Sequence, residues 1–121
     1  EISRRPEELT RLLVHIERCF QQAPTVAQLA TIISRSRSHV LKLFRQHLGI
    51  SPKTFIIQRQ MREARELLLS TTLAISEVAE KSGVPDQYHF SKLFRQFVGV
   101  SPREFRRRED ILTSLREPSS H

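Results

Sequence analysis

Cysteine, tryptophan and glycine are scarce in this chain of 121 residues, and each scarcity excludes a class of protein. The one cysteine, Cys19, excludes an internal disulfide framework, and we expect it to be a small buried residue. Three glycines and no tryptophan, beside many Leu, Glu, Gln, Arg and Ala, favour helices over a sheet. No apolar run approaches about 20 residues and there is no signal-peptide pattern, which predicts a soluble, cytoplasmic chain without a membrane partner.

Acidic residues are also few, and long basic stretches are left unopposed. Lys and Arg number 20 against 13 Asp and Glu, for a formal net charge of +7. No acid occurs between Glu17 and Glu63, or between Asp86 and Glu104. This distribution is typical of a partner for phosphates or anionic lipid, and a solvated basic face is the other interpretation. The length is that of one compact domain without a second, catalytic core, and a start at Glu1 rather than Met predicts a fragment of a longer protein.

An internal repeat organises the chain. Residues 36–55 align with residues 86–105 at a constant offset of 50, without a gap. Half of the aligned positions are identical: His39/His89, Lys42/Lys92, Leu43/Leu93, Phe44/Phe94, Arg45/Arg95, Gln46/Gln96, Gly49/Gly99, Ser51/Ser101, Pro52/Pro102 and Phe55/Phe105. Upstream the similarity continues at an offset of 49, so the second repeat has one extra residue in its turn.

Each repeat predicts two short helices separated by a tight turn. Thr25 is placed to cap the first helix through a capping box with Gln28, and Ser36 caps the next helix. In the second repeat Asp86 takes the place of Ser36, whereas Ala74 takes the place of Thr25 and provides no side-chain cap. Residues at helical spacing predict the buried faces: Val26, Leu29, Ala30, Ile33, Val40, Leu43, Phe44 and His47 in the first repeat, and Ile75, Val78, Ala79, Phe90, Leu93 and Phe94 in the second.

Glycine and proline mark where these helices end and where new helices begin. Gly49 and Gly99 follow the second helix of each repeat and Gly83 lies in the second turn, where a positive φ is expected. Ser-Pro pairs at residues 51–52 and 101–102 start further helices. The first of these continues for about 20 residues, or about 30 Å, without a helix breaker.

The pattern predicts an all-α fold with two helix-turn-helix subdomains joined by a long central helix. The predicted segments are residues 1–50 for the first subdomain with its N-terminal helix, 51–71 for the linking helix, 72–115 for the second subdomain, and 116–121 for a disordered tail. The second helix of such a unit fits the major groove of DNA, whose faces recur about every 34 Å. Because this distance is near the length of the linking helix, one monomer could read two successive turns.

The second repeat resembles the AraC/XylS family of bacterial transcription regulators. The residues that carry the resemblance are Ile75-Ser-Glu-Val-Ala, Gly83, Asp86, Phe90-Ser-Lys-Leu-Phe-Arg, Gly99-Val-Ser-Pro and Phe105-Arg. The resemblance spans about residues 6–107 and implies seven helices and a fused sensing domain in the full-length protein. Two positions depart from the family pattern, Ser34 where glycine is usual and Val84 where an aromatic residue is frequent.

The candidate base readers are the outward positions in the first turns of the two second helices. They are Arg37, Ser38, Leu41 and Lys42 in the first repeat and Gln87, Tyr88, Ser91 and Lys92 in the second. Arg and Lys suit the acceptors of guanine, Gln suits adenine, and Leu41 suits a thymine methyl group. Candidate phosphate contacts surround the same helices: Ser36, His39, Arg45, Lys53, His89, Arg95 and Arg103. A solvated surface role is the alternative for these residues, except for His39 and His89, where the alternative to a phosphate contact is packing within the fold.

We predict a sequence-specific transcription regulator, with activator as its expected type, and no catalytic residue, cofactor or metal site. His15 and Cys19 lie one helical turn apart, but a structural zinc needs four ligands. The predicted partners are double-stranded DNA, RNA polymerase and a missing N-terminal effector or dimerisation domain, and the isolated domain is expected to be a monomer. The alternatives are the DNA-binding part of a DNA-repair fusion enzyme and a non-specific DNA-binding protein. The varied side chains on the second helix of each repeat argue against non-specific binding, because phosphate binding alone would not require them.

Overall fold

The computed structural model describes residues 5–116, which form seven α-helices and one 3₁₀ helix and contain no β-strand. The α-helices are α1 (Glu7–Cys19), α2 (Val26–Ile32), α3 (Arg37–Leu48), α4 (Pro52–Ser70), α5 (Ile75–Ser82), α6 (Gln87–Val98) and α7 (Pro102–Arg116), and the 3₁₀ helix (Phe20–Gln22) follows α1. The predicted all-α class, with about seven helices and a long central helix, is confirmed. The predicted disordered tail lies outside the described residues, except for Arg116 at the end of α7.

The chain divides into two compact units, Glu1–Gln60 and Met61–His121. The boundary between these units falls within α4. The boundaries predicted from the sequence, at residues 50 and 71, lie instead at the two ends of that helix. The division into subdomains and linking helix therefore stays a prediction. None of the helices among the described residues has the length and apolar character that crossing a membrane requires.

The first unit packs α1, α2 and α3 with the start of α4 around one apolar core. Its buried side chains are Leu9, Leu12, Ile16, Phe20, Leu29, Ala30, Ile33, Val40, Leu43, Phe44 and Ile56. At the edge of this core the rings of Phe44 and Phe55 meet edge to face, with centroids 5.8 Å apart and planes at 69°. His47, predicted on the buried face of α3, is exposed, because a ring with two polar nitrogens is stabilised by water.

The second unit has the same construction. Its buried apolar side chains are Met61, Ala64, Leu68, Val78, Ala79, Val84, Phe90 and Phe94. Phe94 and Phe105 meet at 5.5 Å and 71°, which repeats the geometry of the equivalent pair in the first unit. Leu93 is half-buried. The aligned residues therefore take equivalent places in two similar cores.

The predicted caps begin the helices at the expected residues. Thr25 and Gln28 form the complete capping box, with bonds of 2.9 and 3.1 Å. Ser36 Oγ accepts the backbone N–H of His39, and Asp86 Oδ1 accepts that of His89, each at 3.1 Å. Before α5, Ala74 has no side chain that could cap the helix. Its own backbone N–H donates to Glu77 Oε1, so a side chain from the first turn of α5 provides this N–H with an acceptor.

Three glycines lie in the left-handed region, as predicted, with φ of 75° at Gly49, 101° at Gly83 and 104° at Gly99. Ser34 adopts the same conformation, with a φ of 55°. Equivalent 3.0 Å bonds, from the N–H of Arg35 to Ala30 O and from the N–H of Val84 to Ala79 O, align Ser34 with Gly83. The extra residue of the second repeat is consequently Pro85, in the turn.

Candidate nucleic-acid interface

The helix-turn-helix pair of the first unit is α2 and α3, and that of the second is α5 and α6. All four predicted readers on α3 are exposed, namely Arg37, Ser38, Leu41 and Lys42. On α6, Gln87, Tyr88 and Lys92 are exposed and Ser91 is half-buried. Two of the exposed side chains are large: the apolar Leu41, which is 46% exposed, and the aromatic Tyr88, which is 77% exposed. Each helix thus turns one face to the core and another, chemically varied face to solvent.

The electrostatics of α3 and α6 favour an anionic partner. Neither helix contains an acidic residue, and the N-terminal ends, where unpaired backbone N–H groups concentrate positive charge, carry no acid in the first turn. The cap of α3 is the neutral Ser36, whereas α6 begins after the carboxylate of Asp86. Of the two helices, α3 therefore has the more positive N-terminal end.

The predicted phosphate contacts lie on or beside these helices. Six of them are exposed: Ser36, Arg45, Lys53, His89, Arg95 and Arg103. Lys53 and Arg103 occupy the same position in the first turns of α4 and α7. His39 differs from its repeat partner His89, because it is half-buried and its Nε2 lies 2.9 Å from Glu8 Oε1. One ring nitrogen of His39 is therefore engaged within the protein.

Sequence reasoning missed two polar networks, one in each unit. In the first unit, α1 contributes Glu8 and Arg11, which bind residues around the turn between α2 and α3. The carboxylate of Glu8 accepts hydrogen bonds from His39 and from Arg35 Nε, the latter at 2.8 Å. These bonds hold the pKa of Glu8 below its usual value, and the bond from His39 has the larger effect. No spacing rule connects residues so distant in the chain, so the pattern contained no signal for this contact.

The second network is the guanidinium of Arg106, which binds the loop between α4 and α5. It donates to three backbone carbonyls, those of Leu68 (3.3 Å), Thr71 (3.2 Å) and Leu73 (2.7 Å). The repeat contained a signal here, because Arg106 aligns with the buried Ile56 of the first unit. An arginine at an otherwise apolar core position predicts a partner for its charge.

Cys19 proves to be half-buried rather than buried, and partial burial raises the pKa of its thiol. It lies at the last residue of α1, away from the predicted readers in sequence. Among residues 5–116 no group of three His, Cys, Asp or Glu side chains is placed to hold a metal ion.

Taken together, the two units define a tandem helix-turn-helix domain of the DNA-binding class. A helix-turn-helix domain family matches residues 29–108. The lactose operon transcription activator of Staphylococcus xylosus is 32% identical over 105 residues, a match that covers 87% of this chain and 38% of that relative. The chain thus spans little more than a third of the relative's length.

Solved structures share the architecture. The C-terminal domain of AraT, a response regulator from Geobacillus stearothermophilus, superposes with a TM-score of 0.83 at 36% identity, covering 87% of this chain and 88% of that domain. The DNA-binding domain of AdpA, a global transcriptional factor solved in complex with a target DNA, has the same fold, with a TM-score of 0.80 at 23% identity, covering 93% of this chain and 98% of that chain. The chain belongs to the AraC-type helix-turn-helix family of DNA-binding domains of transcription regulators.

Proposed function

We propose that this domain reads a specific sequence of double-stranded DNA, with α3 and α6 as its two recognition helices. The observation that carries the proposal is the exposure of Leu41 and Tyr88 on helices whose opposite faces carry the buried residues Val40, Leu43, Phe44, Phe90 and Phe94. A helix that only neutralises phosphate gains nothing from exposed apolar and aromatic side chains, whereas base edges in the major groove offer them partners.

The proposed base contacts follow the chemistry of each side chain. Arg37, Lys42 and Lys92 suit the O6 and N7 acceptors of guanine, Gln87 suits the N6 and N7 of adenine, and Leu41 suits the methyl group of thymine. Ser38, Tyr88 and Ser91 complete the reading faces with hydroxyl groups. The variety of groups on two helices supports a composite recognition site with two halves.

The phosphate contacts set the register of the domain on the duplex. In this proposal the exposed Arg45 and Arg95, together with Lys53 and Arg103, bind the flanking backbone, while the N–H groups at the start of α3 bind one phosphate. Such contacts carry no sequence information, but each releases condensed cations from the DNA. Affinity should therefore fall steeply as salt rises.

The full-length protein is proposed to be a cytoplasmic transcription activator. The S. xylosus relative is an activator and extends well beyond the region matched here, which supports an additional effector or dimerisation domain and a contact with RNA polymerase. The isolated domain is proposed to bind as a monomer and to act by binding rather than catalysis.

Selection of bound sites from a random DNA pool tests the proposal, and a bipartite consensus with halves about one helical turn apart is the expected result. Lys92→Ala and Arg95→Ala then separate the two kinds of contact. Lys92→Ala should cost about 1 to 3 kcal/mol on the selected site and relax the preference at one base position. Arg95→Ala should weaken selected and scrambled sites alike and reduce the salt slope by about one.

An equal loss on both sites for Lys92→Ala would make Lys92 a phosphate contact, and absence of any consensus would favour non-specific binding. Insertion of five base pairs between the two halves tests the use of successive grooves, because it turns one half to the opposite side of the duplex. Binding should weaken strongly, and retained affinity would mean that one unit alone provides the recognition.

A further inference from the structure

The turn that leads into α3 contains a side chain in a conformation that favours glycine. Ser34 has a φ of 55°, and the equivalent residue of the second unit is Gly83, with a φ of 101°. Left-handed backbone brings the Cβ atom of an L-residue close to the following carbonyl oxygen. The first turn is consequently less favourable by itself than the second, although both precede a reading helix.

Side chains of α1 hold the two ends of this turn. Arg11 Nη2 donates to the carbonyl of Ile32, the last residue of α2, at 3.0 Å. The carboxylate of Glu8 lies on the other side, where one oxygen accepts Arg35 Nε at 2.8 Å and the other lies 2.9 Å from His39 Nε2. The carboxylate is partly shielded, at 28% exposure, so these bonds compete with less water than fully exposed pairs do.

The second unit holds its turn differently. At the position of Arg35 it has Val84, which is buried and attaches the turn to the apolar core. Arg35 is 52% exposed in its side chain and has no such apolar anchor, so its ion pair with Glu8 takes that place. The second turn therefore combines Gly83 with the buried Val84. The first turn instead combines Ser34, in its left-handed conformation, with the Arg35–Glu8 ion pair.

His39 connects the network to the reading face. It lies in the first turn of α3, directly after Ser38 and two residues before Leu41. Displacement of its ring would rotate or tilt the end of the helix that carries the readers. Since base discrimination depends on hydrogen-bond distances, a small rotation there matters more than it would for phosphate contacts.

From this geometry we infer that Glu8 is a positioning residue for DNA recognition, which orients the start of α3 through Arg35 and His39. The inference rests on the proposed function, since it concerns how one reading helix is held. Glu8 contacts no DNA in this arrangement, and its removal alters recognition only through the turn.

The test compares Glu8→Ala with Glu17→Ala in the described domain. Both substitutions remove one carboxylate from α1, and Glu17 pairs with Arg59 of α4, away from the turn. Glu8→Ala should reduce discrimination in the half-site read by α3 about tenfold, the contribution of one good base contact, and leave the other half-site unchanged. Glu17→Ala should leave discrimination in both halves intact.

Rescue gives a second measurement. Ser34→Gly removes the unfavourable side chain from the turn, so the double variant Glu8→Ala/Ser34→Gly should regain most of the lost discrimination. If Glu8→Ala does not fold, Glu8→Gln, which keeps the volume and one acceptor oxygen, replaces it in the same comparison.

Unchanged discrimination in folded Glu8→Ala would overturn the inference and leave Glu8 with a purely structural role. Tighter binding of both selected and scrambled DNA by Glu8→Ala would also overturn the inference. In that case Glu8 would only neutralise the charge of Arg35 and would not orient α3. If the unsubstituted domain shows no preference for any sequence, the proposed function itself fails, and that result is recognised before any variant is made.

Discussion

Replacement of Arg106 by Met should destabilise the second unit, because one guanidinium holds three parts of the connection between α4 and α5. Its Nη1 donates to Leu73 O at 2.7 Å, its Nη2 to Thr71 O at 3.2 Å and its Nε to Leu68 O at 3.3 Å. The first two carbonyls belong to the loop and the third to the last turn of α4. Methionine keeps the aliphatic volume and removes every donor.

The size of the effect follows from these bonds. A net hydrogen bond contributes about 1 kcal/mol, and bonds from a charged donor contribute more. The longest of the three is weak, and water can reach part of the half-buried side chain. We therefore expect a loss of about 2 to 3 kcal/mol. For a unit of this size each kcal/mol corresponds to about 4 to 8 °C in Tm, so the transition should fall by roughly 10 °C or more.

The assay is thermal unfolding by circular dichroism, with Arg108→Met as the matched control on the same helix. Arg108 is 60% exposed and pairs with Glu104 at 3.0 Å, an arrangement worth less than about 1 kcal/mol. Arg106→Lys should fall between the two, because one ammonium group cannot reach the three carbonyls as a planar fork does. Equal melting temperatures for Arg106→Met and Arg108→Met would refute the reasoning.

Three further expectations concern stability. Gly99→Ala should destabilise the domain by about 1 to 2 kcal/mol through backbone strain alone, since an added Cβ meets no atom within 4 Å, and an unchanged urea midpoint would contradict this. Ser82→Ala should raise stability or leave it unchanged, because Ser82 Oγ is buried without a hydrogen-bond partner in the described structure, and calorimetry showing a clear loss would contradict it. The lowered pKa of Glu8 means that its stabilising effect is complete above the usual value of 4.5 and is lost as the pH falls through the folded-state pKa. Glu8→Ala should flatten that part of an acid titration of stability, and an identical curve would exclude the contribution.

The repeat and the helix boundaries could be predicted from the sequence because they depend on neighbouring residues. The cap at Ser36 accepts an N–H only three residues away, and the glycines follow their helices directly. Apolar residues at helical spacing identified most of the core, including Phe44 and Phe94, since burial of a helix face depends on the 3.6-residue period. The exposed faces of α3 and α6 were predictable for the same reason, as the positions opposite those buried stripes, whereas their role in reading DNA stays a prediction.

The local pattern did not determine which distant polar groups meet. Glu8 and Arg35 are separated by 27 residues and Glu8 and His39 by 31, while Arg106 binds carbonyls 33 to 38 residues earlier. The local pattern also failed for His47. Its spacing predicted a position on the buried face of α3, but its side chain is exposed. Helical periodicity, caps and turn residues are properties of a short segment and can be read from the sequence. The partners of a charged side chain depend on which helices pack together and at what rotation, and only the tertiary structure decides that.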